Sequence, residues 1–286
     1  FCAIVVANVK ISLGHVIKFE KRKLIMLLPI GFFLMLQHMM ELYFWGIDRL
    51  FISFYLSNES LASFHIAHTY ARGLMVFFAA ATFLIYPRLL TTLSSLKTPN
   101  LEIKKIIDKA FSISESILVF VFLFLIAVAP FFMNLILKKY DDFFYIFTLI
   151  LFGLIIKSLT FFSASFFVSR KKQKKLLINS FIFLSILILL YGFLYNINII
   201  QNAEEFTLTA TIIFLLFSIR LYQWSMSDLM QKNIFNLVLN KFWRLIIIYF
   251  LIFTCYTLDI NKTNALIYIM SFTFLIYFRM FVNNSK

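Results

Sequence analysis

Long apolar runs, each about the length of a bilayer-spanning helix, follow one another along this chain with only short polar turns between them. An apolar helix of about 20 residues crosses the hydrocarbon core of a membrane. Eight such runs are read at 24–56, 61–87, 112–136, 143–168, 176–197, 205–224, 243–258 and 264–281. Composition agrees. The chain is 62% hydrophobic and only 14% charged, whereas soluble domains are about half apolar and a quarter charged. Too little of it is polar for an open, solvated chain, and 39 Phe against 6 Gly and 4 Pro oppose a collagen-like or loop-rich protein. The fold class expected is all-α, a polytopic integral membrane helix bundle.

A net charge of +14 suggests nucleic acid until its distribution is examined. The cations lie in short clusters between spans (Lys18, Lys21, Arg22, Lys23; Lys104, Lys105, Lys109; Arg170, Lys171, Lys172, Lys174, Lys175) and form no track for a phosphate backbone. Alternate loops hold 19 Lys and Arg on one side of the membrane and three on the other, Lys138, Lys139 and Lys262. That asymmetry assigns the basic side, and the C-terminus with it, to the cytoplasm. Cys2 and Cys255 have neither metal nor redox spacing.

Residues 1–20 open without Met on FCAIVVANVKISLGHVI, whose Lys10 and His15 sit within and after the apolar stretch instead of before it. A signal peptide has the reverse order. The segment reads as the end of a helix belonging to a longer protein. The run 24–56 exceeds one perpendicular span and must tilt, bend or project. After Pro99 and a capping Asn100, LEIKKIIDKAF interleaves Leu101, Ile103, Ile106, Ile107 and Phe111 with Lys104, Lys105 and Lys109. It either lies on the inner membrane surface before turning into the next span, or is a solvated helical extension of that span.

Ionisable groups at bilayer depth cost at least ~2.5–3.5 kcal/mol each, so they face protein or water. Gln37, Glu41 and Asp48 share one face of the first span, beside His38 and Arg49. His65, His68 and Arg72 make a stripe on the second. Counted inward from their short loop, Asp48 matches His65 in depth and Glu41 matches Arg72. Lys157 lies mid-span in the fourth run and Arg220 near the basic end of the sixth, where it can snorkel to headgroups. The pattern predicts one hydrated cavity, carboxylates on one wall and cations on another. His38 reads as a neighbour's hydrogen-bond partner.

Enzyme signatures are missing. The chain has no GxGxxG, Walker A, HExxH, CxxC or GxSxG motif, and its three span histidines make no metal site. No loop is large enough to supply an external acid, base or metal, so an enzyme is not expected and no cofactor is implied.

The stretch LPIGFFLMLQHMMELYFWGIDRLFISFYLSNESLASFHIAHTYARGLMVFFAAATFLIYPRLL carries Pro29 early in its first helix, Asp48-Arg49 near the outer end, and Tyr86-Pro87-Arg88-Leu89 after the second. With the basic link that follows, AVAPFFMNLIL and the SRKKQKK turn, it resembles the second-lobe opening of bacterial polysaccharide exporters, O-antigen and capsule flippases in the superfamily of multidrug and lipid II exporters. The resemblance covers 20–225. Ala62 or Ser63 stands where the family has Gly, and the small-residue run after the fifth span is missing.

That resemblance implies one lobe of a two-lobe exporter. Residues 1–20 would end the preceding, absent lobe, 21–225 would be a six-helix C-terminal lobe, and 226–286 a two-helix extension. It implies flipping of undecaprenyl-diphosphate-linked repeat units by alternating access in the bacterial inner membrane, alongside the polysaccharide polymerase machinery. Arg72, Lys157, His68, His65 and Gln37 would bind substrate. Glu41, Asp48 and Arg49 would carry the coupling H⁺ or Na⁺ or pair the cations. A multidrug-type exporter would want a more acidic cavity, and an O-antigen polymerase or membrane glycosyltransferase a large outer loop.

Overall fold

The computed structural model describes residues 21–73, 76, 91, 100–136, 143–230, 235–258 and 261–284, and among them all regular structure is helical. The chain order is α1 (Lys21–Tyr55), α2 (58–73), α3 (Asn100–Ile136), α4 (Phe143–Ser169), α5 (Gln173–Asn196), α6 (Ala203–Met230), α7 (Phe235–Thr257) and α8 (Lys262–Asn284). The expectations for residues 1–20, His15, the Tyr86–Leu89 motif and the end of the second run lie outside the described residues.

Four of these helices, α3 to α6, are long and apolar enough to cross a membrane. The chain is a multi-pass membrane protein. Its first helix has 35 residues, about 52 Å at 1.5 Å per residue. The segment 100–111 does not turn: α3 runs unbroken for 37 residues. Nor is it merely solvated, because Ile103, Ile107 and Phe111 are buried. Phe111 packs on Tyr222 and Phe242, and Tyr222 donates a hydrogen bond to Asp108. The lysines stay at the surface while the apolar face joins the bundle.

Helix ends follow local rules. Ser57 Oγ accepts the Ser60 N–H and starts α2. Before α6, Asn202 Oδ1 accepts the Glu205 N–H, and Glu205 Oε2 accepts the N–H groups of Gln201 and Asn202, a capping box. The ends of α4 and α5 are matched left-handed turns. Lys171 (φ 55°) and Asn198 (φ 57°) sit in the αL region, and the following N–H of each reaches back to Phe167 or Leu194.

Apolar around most of its circumference apart from Lys157 and small hydroxyl residues, α4 is the central post. Its span is 78% buried, against 33% for α3 and α5, which turn much of their surface outward. It packs chiefly on α6 and α3, and less on α5 and α7. The α4–α6 pair is parallel and held in one register. Thr211 and Ser218 donate to the carbonyls of Leu149 and Ile156, and Ser225 meets Ser163, every contact 62 residues apart and 3.4 Å long. Small hydroxyl residues at a seven-residue interval let two parallel backbones approach closely. Gly153 serves the same contact: a Cβ there would touch the Phe214 ring at 3.4 Å.

A second parallel pair, α1 with α5, keeps an offset of 143 residues through Gln37–Ser180 and Asp48–Tyr191. Phe51 and Tyr55 extend it by packing on Tyr191 and Tyr195. Behind α3, the α7–α8 hairpin is fastened by a buried ion pair. Arg244 Nη2 donates to Glu115 Oε2 at 2.7 Å, with both side chains inside the bundle. Tyr277 of α8 donates to the other carboxylate oxygen at 2.8 Å. Lys241 adds a bond to Ser112.

Candidate functional site

Two spacings build a polar cavity. Leu42, Gly46 and Arg49 fall on one side of α1, and His65, His68, Thr69 and Arg72 make one face of α2. Together with Phe64 they line a cavity of about 370 Å³. Phe64, Ala67 and Ala71 are buried in the core on the flank of α2 next to the polar stripe, with Phe64 at the boundary between core and cavity. Gly46 keeps the α1 wall recessed, with no atom within 4 Å of where a Cβ would stand.

The lining is cationic. Arg49 and Arg72 supply guanidinium groups, two imidazoles and a threonine hydroxyl add donors, and no carboxylate is among the described residues that line the space. His68 lies in the electrostatic reach of Arg72, His65 and Arg49. Its ring stacks on Phe64 at 5.8 Å, and its buried Nε2 has no hydrogen-bond partner among the described residues. A group that accepts several hydrogen bonds and carries negative charge is what such a wall suits.

The acidic residues occupy a different place. Glu41 Oε2 lies 4.0 Å from Lys157 Nζ, both side chains more than a third exposed. This pair borders a second cavity of about 20 Å³, room for about one water, that also meets Thr160, Ser180 and Ser218. Gln37 Nε2 donates to Ser180 Oγ at 2.9 Å and reaches Glu41 Oε1 at 3.5 Å. Asp48 is buried and accepts a 2.5 Å hydrogen bond from Tyr191, whose hydroxyl also lies 3.0 Å from the Phe206 carbonyl oxygen.

The single seam expected from sequence therefore divides. Gln37, Glu41 and Asp48 do share a face, but that face meets α5 and α4, not α2. Matching depth from the loop does not match azimuth: Asp48 and Arg49 are one residue apart, hence about 100° apart around the helix. Arg49 belongs to the cationic cavity and Asp48 to the α5 contact. Lys157 nevertheless lies within electrostatic range of Arg72. His38 is exposed. Arg220 is also exposed, with its guanidinium 4.6 Å from the Trp224 ring centroid.

Sequence reasoning missed Glu115 and Arg244. Each is a charge inside an apolar run, FSISESILVF and KFWRLIIIY, and that was the available signal. Asp108, Tyr222 and Lys241 join the same polar band. Among the described residues no group of three or more His, Cys, Asp or Glu is placed to hold a metal.

Residues 1–142 match a family described as polysaccharide biosynthesis protein. The chain matches no curated protein and no solved structure. The matched half contains α1, α2 and α3, so every residue lining the cationic cavity falls inside it, while Lys157, Ser180 and Tyr191 fall beyond. The helices make this a multi-pass membrane protein, and its first 142 residues are similar to that polysaccharide biosynthesis family.

Proposed function

We propose that the chain forms part of a membrane carrier that moves lipid-linked oligosaccharide repeat units across the bilayer. The observation that carries this reading is the cavity between α1 and α2, walled by two arginines, two histidines and a threonine, with no carboxylate among the described residues that line it. The part of the substrate it suits is the diphosphate joining the sugars to an undecaprenyl carrier. Crossing hydrocarbon, that group loses its hydration and needs replacement donors at depth. Arg49 and Arg72 supply paired N–H forks that match phosphate oxygens. His65, His68 through its unpartnered Nε2, and Thr69 add single bonds. Exposed apolar side chains such as Leu42 and Tyr43 of α1 offer the prenyl chain a lipid-like margin.

Lys157, held near Glu41, is a further cation within electrostatic range of Arg72. It would receive the diphosphate as it shifts during a rocking motion of two lobes about the site, and Gln37 would contact the sugars there. Glu41 and Asp48 are the groups for a coupling H⁺ or Na⁺. No covalent bond is made or broken, so the protein acts as a carrier and not an enzyme. The basic loops and the C-terminus face the cytoplasm of a bacterial inner membrane. A multidrug-type exporter of organic cations is disfavoured because like charges line the space.

The test is Arg72→Ala in the full-length protein. Arg72 is exposed to the cavity, so the variant accumulates in the membrane at normal levels while surface polysaccharide falls more than about tenfold, the loss of one charge-assisted pair at ~1.5–3 kcal/mol. Arg72→Lys restores part of it. Unchanged polysaccharide in both Arg72→Ala and Arg49→Ala strains would remove the diphosphate from this cavity.

A further inference from the structure

A third cavity, of about 230 Å³, opens between the basic end of α5 and the last turns of α6, lined by Lys175, Ile178, Trp224 and Ser227. It is distinct from the α1–α2 cavity and does not depend on the carrier reading. Three observations define its chemistry. Lys175 is exposed and follows directly on the left-handed turn that presents Arg170, Lys171, Lys172 and Lys174. Arg220, also exposed, stands one turn before Trp224 in α6, with its guanidinium 4.6 Å from the Trp224 ring centroid, and donates to Gln223 Oε1. Beyond the cavity the outer faces of both helices become apolar, with Ile178, Phe181, Ile182 and Leu216 all exposed.

We propose that this cavity binds the headgroup of an anionic phospholipid. The order of groups is that of a lipid placed along the helix axis. Cations and a Ser hydroxyl meet the phosphodiester, the Trp ring sits at the headgroup level where indoles concentrate, and Ile178, Phe181 and Leu216 meet the acyl chains. The cation–π contact holds the Arg220 guanidinium on the ring. A free phosphate would satisfy the cations but would leave the apolar wall unused, and the lipid is therefore the occupant assigned.

Trp224 is also the probe. The full chain carrying Trp45→Phe and Trp243→Phe is reconstituted in bilayers containing brominated phosphatidylglycerol or brominated phosphatidylcholine, and quenching of the remaining indole is measured. The anionic lipid is expected to quench at a lower mole fraction, and Lys175→Gln and Arg220→Gln each to reduce that preference by about fivefold, the effect of one basic group at an anionic surface. Millimolar inorganic phosphate should leave the quenching unchanged. Equal quenching by the two lipids, or a preference that survives the double substitution, overturns the site. Relief of quenching by phosphate overturns the assignment to lipid.

Discussion

Glu115 and Arg244 put two full charges in the bundle interior, 2.7 Å apart and bonded to Tyr277. Each alone is costly there; together they satisfy one another. Removing one partner leaves a buried charge without compensation, a loss of about 3–5 kcal/mol. Glu115→Ala should lower the thermal midpoint in detergent sharply, and Glu115→Leu with Arg244→Leu should recover most of it, because an apolar pair fills the space with no charge to solvate. If the double variant melts no higher than the single one, the ion pair is not what the single substitution disturbed. Contrast Arg72, whose charge faces an open cavity and whose removal is expected to spare the fold. Burial, not residue type, separates the two arginines.

Between helices, parallel pairs are set by short polar side chains at recurring offsets. Thr211, Ser218 and Ser225 pin α6 to α4, and Gln37 and Asp48 pin α1 to α5 across three turns. A pair held at two points cannot slide without breaking both. In a background with Cys2 and Cys255 replaced, Gln37→Cys and Ser180→Cys should cross-link with short-arm oxidants in the membrane. Gln37→Cys with Tyr191→Cys should not, being 11 residues out of register, about 16 Å along the helix. Cross-linking in the second pair and not the first would require a different α1–α5 alignment.

At the scale of the whole molecule, the α7–α8 hairpin covers the polar band of α3 instead of standing apart in lipid. Arg244 and Tyr277 reach Glu115 from two helices, and Lys241 meets Ser112 and the Asp108 carbonyl. Ending the chain after Met230 should therefore uncover Glu115 and strip Phe242 from Phe111. The truncated protein is expected to accumulate at well under half the normal level in membranes, as measured by immunoblot. Full accumulation would mean that α3, α4 and α6 need no cover there.

Apolar run length was enough to define the helices: in lipid a backbone must bond to itself, and about 20 apolar residues leave it the helix. Seven-residue spacing of Thr211, Ser218 and Ser225, and the ionisable residues at positions 49, 65, 68, 72, 115 and 244, were equally present in the residue string. What the string did not contain was direction around each axis relative to a particular neighbour. Asp48 and Arg49 are adjacent in sequence, yet packing sends one to Tyr191 and the other into the cationic cavity. Glu115 finds its cation 129 residues away. Which helix stands beside which is settled by the complementarity of whole faces in three dimensions, and a pattern read along one helix carries no information about the face that meets it.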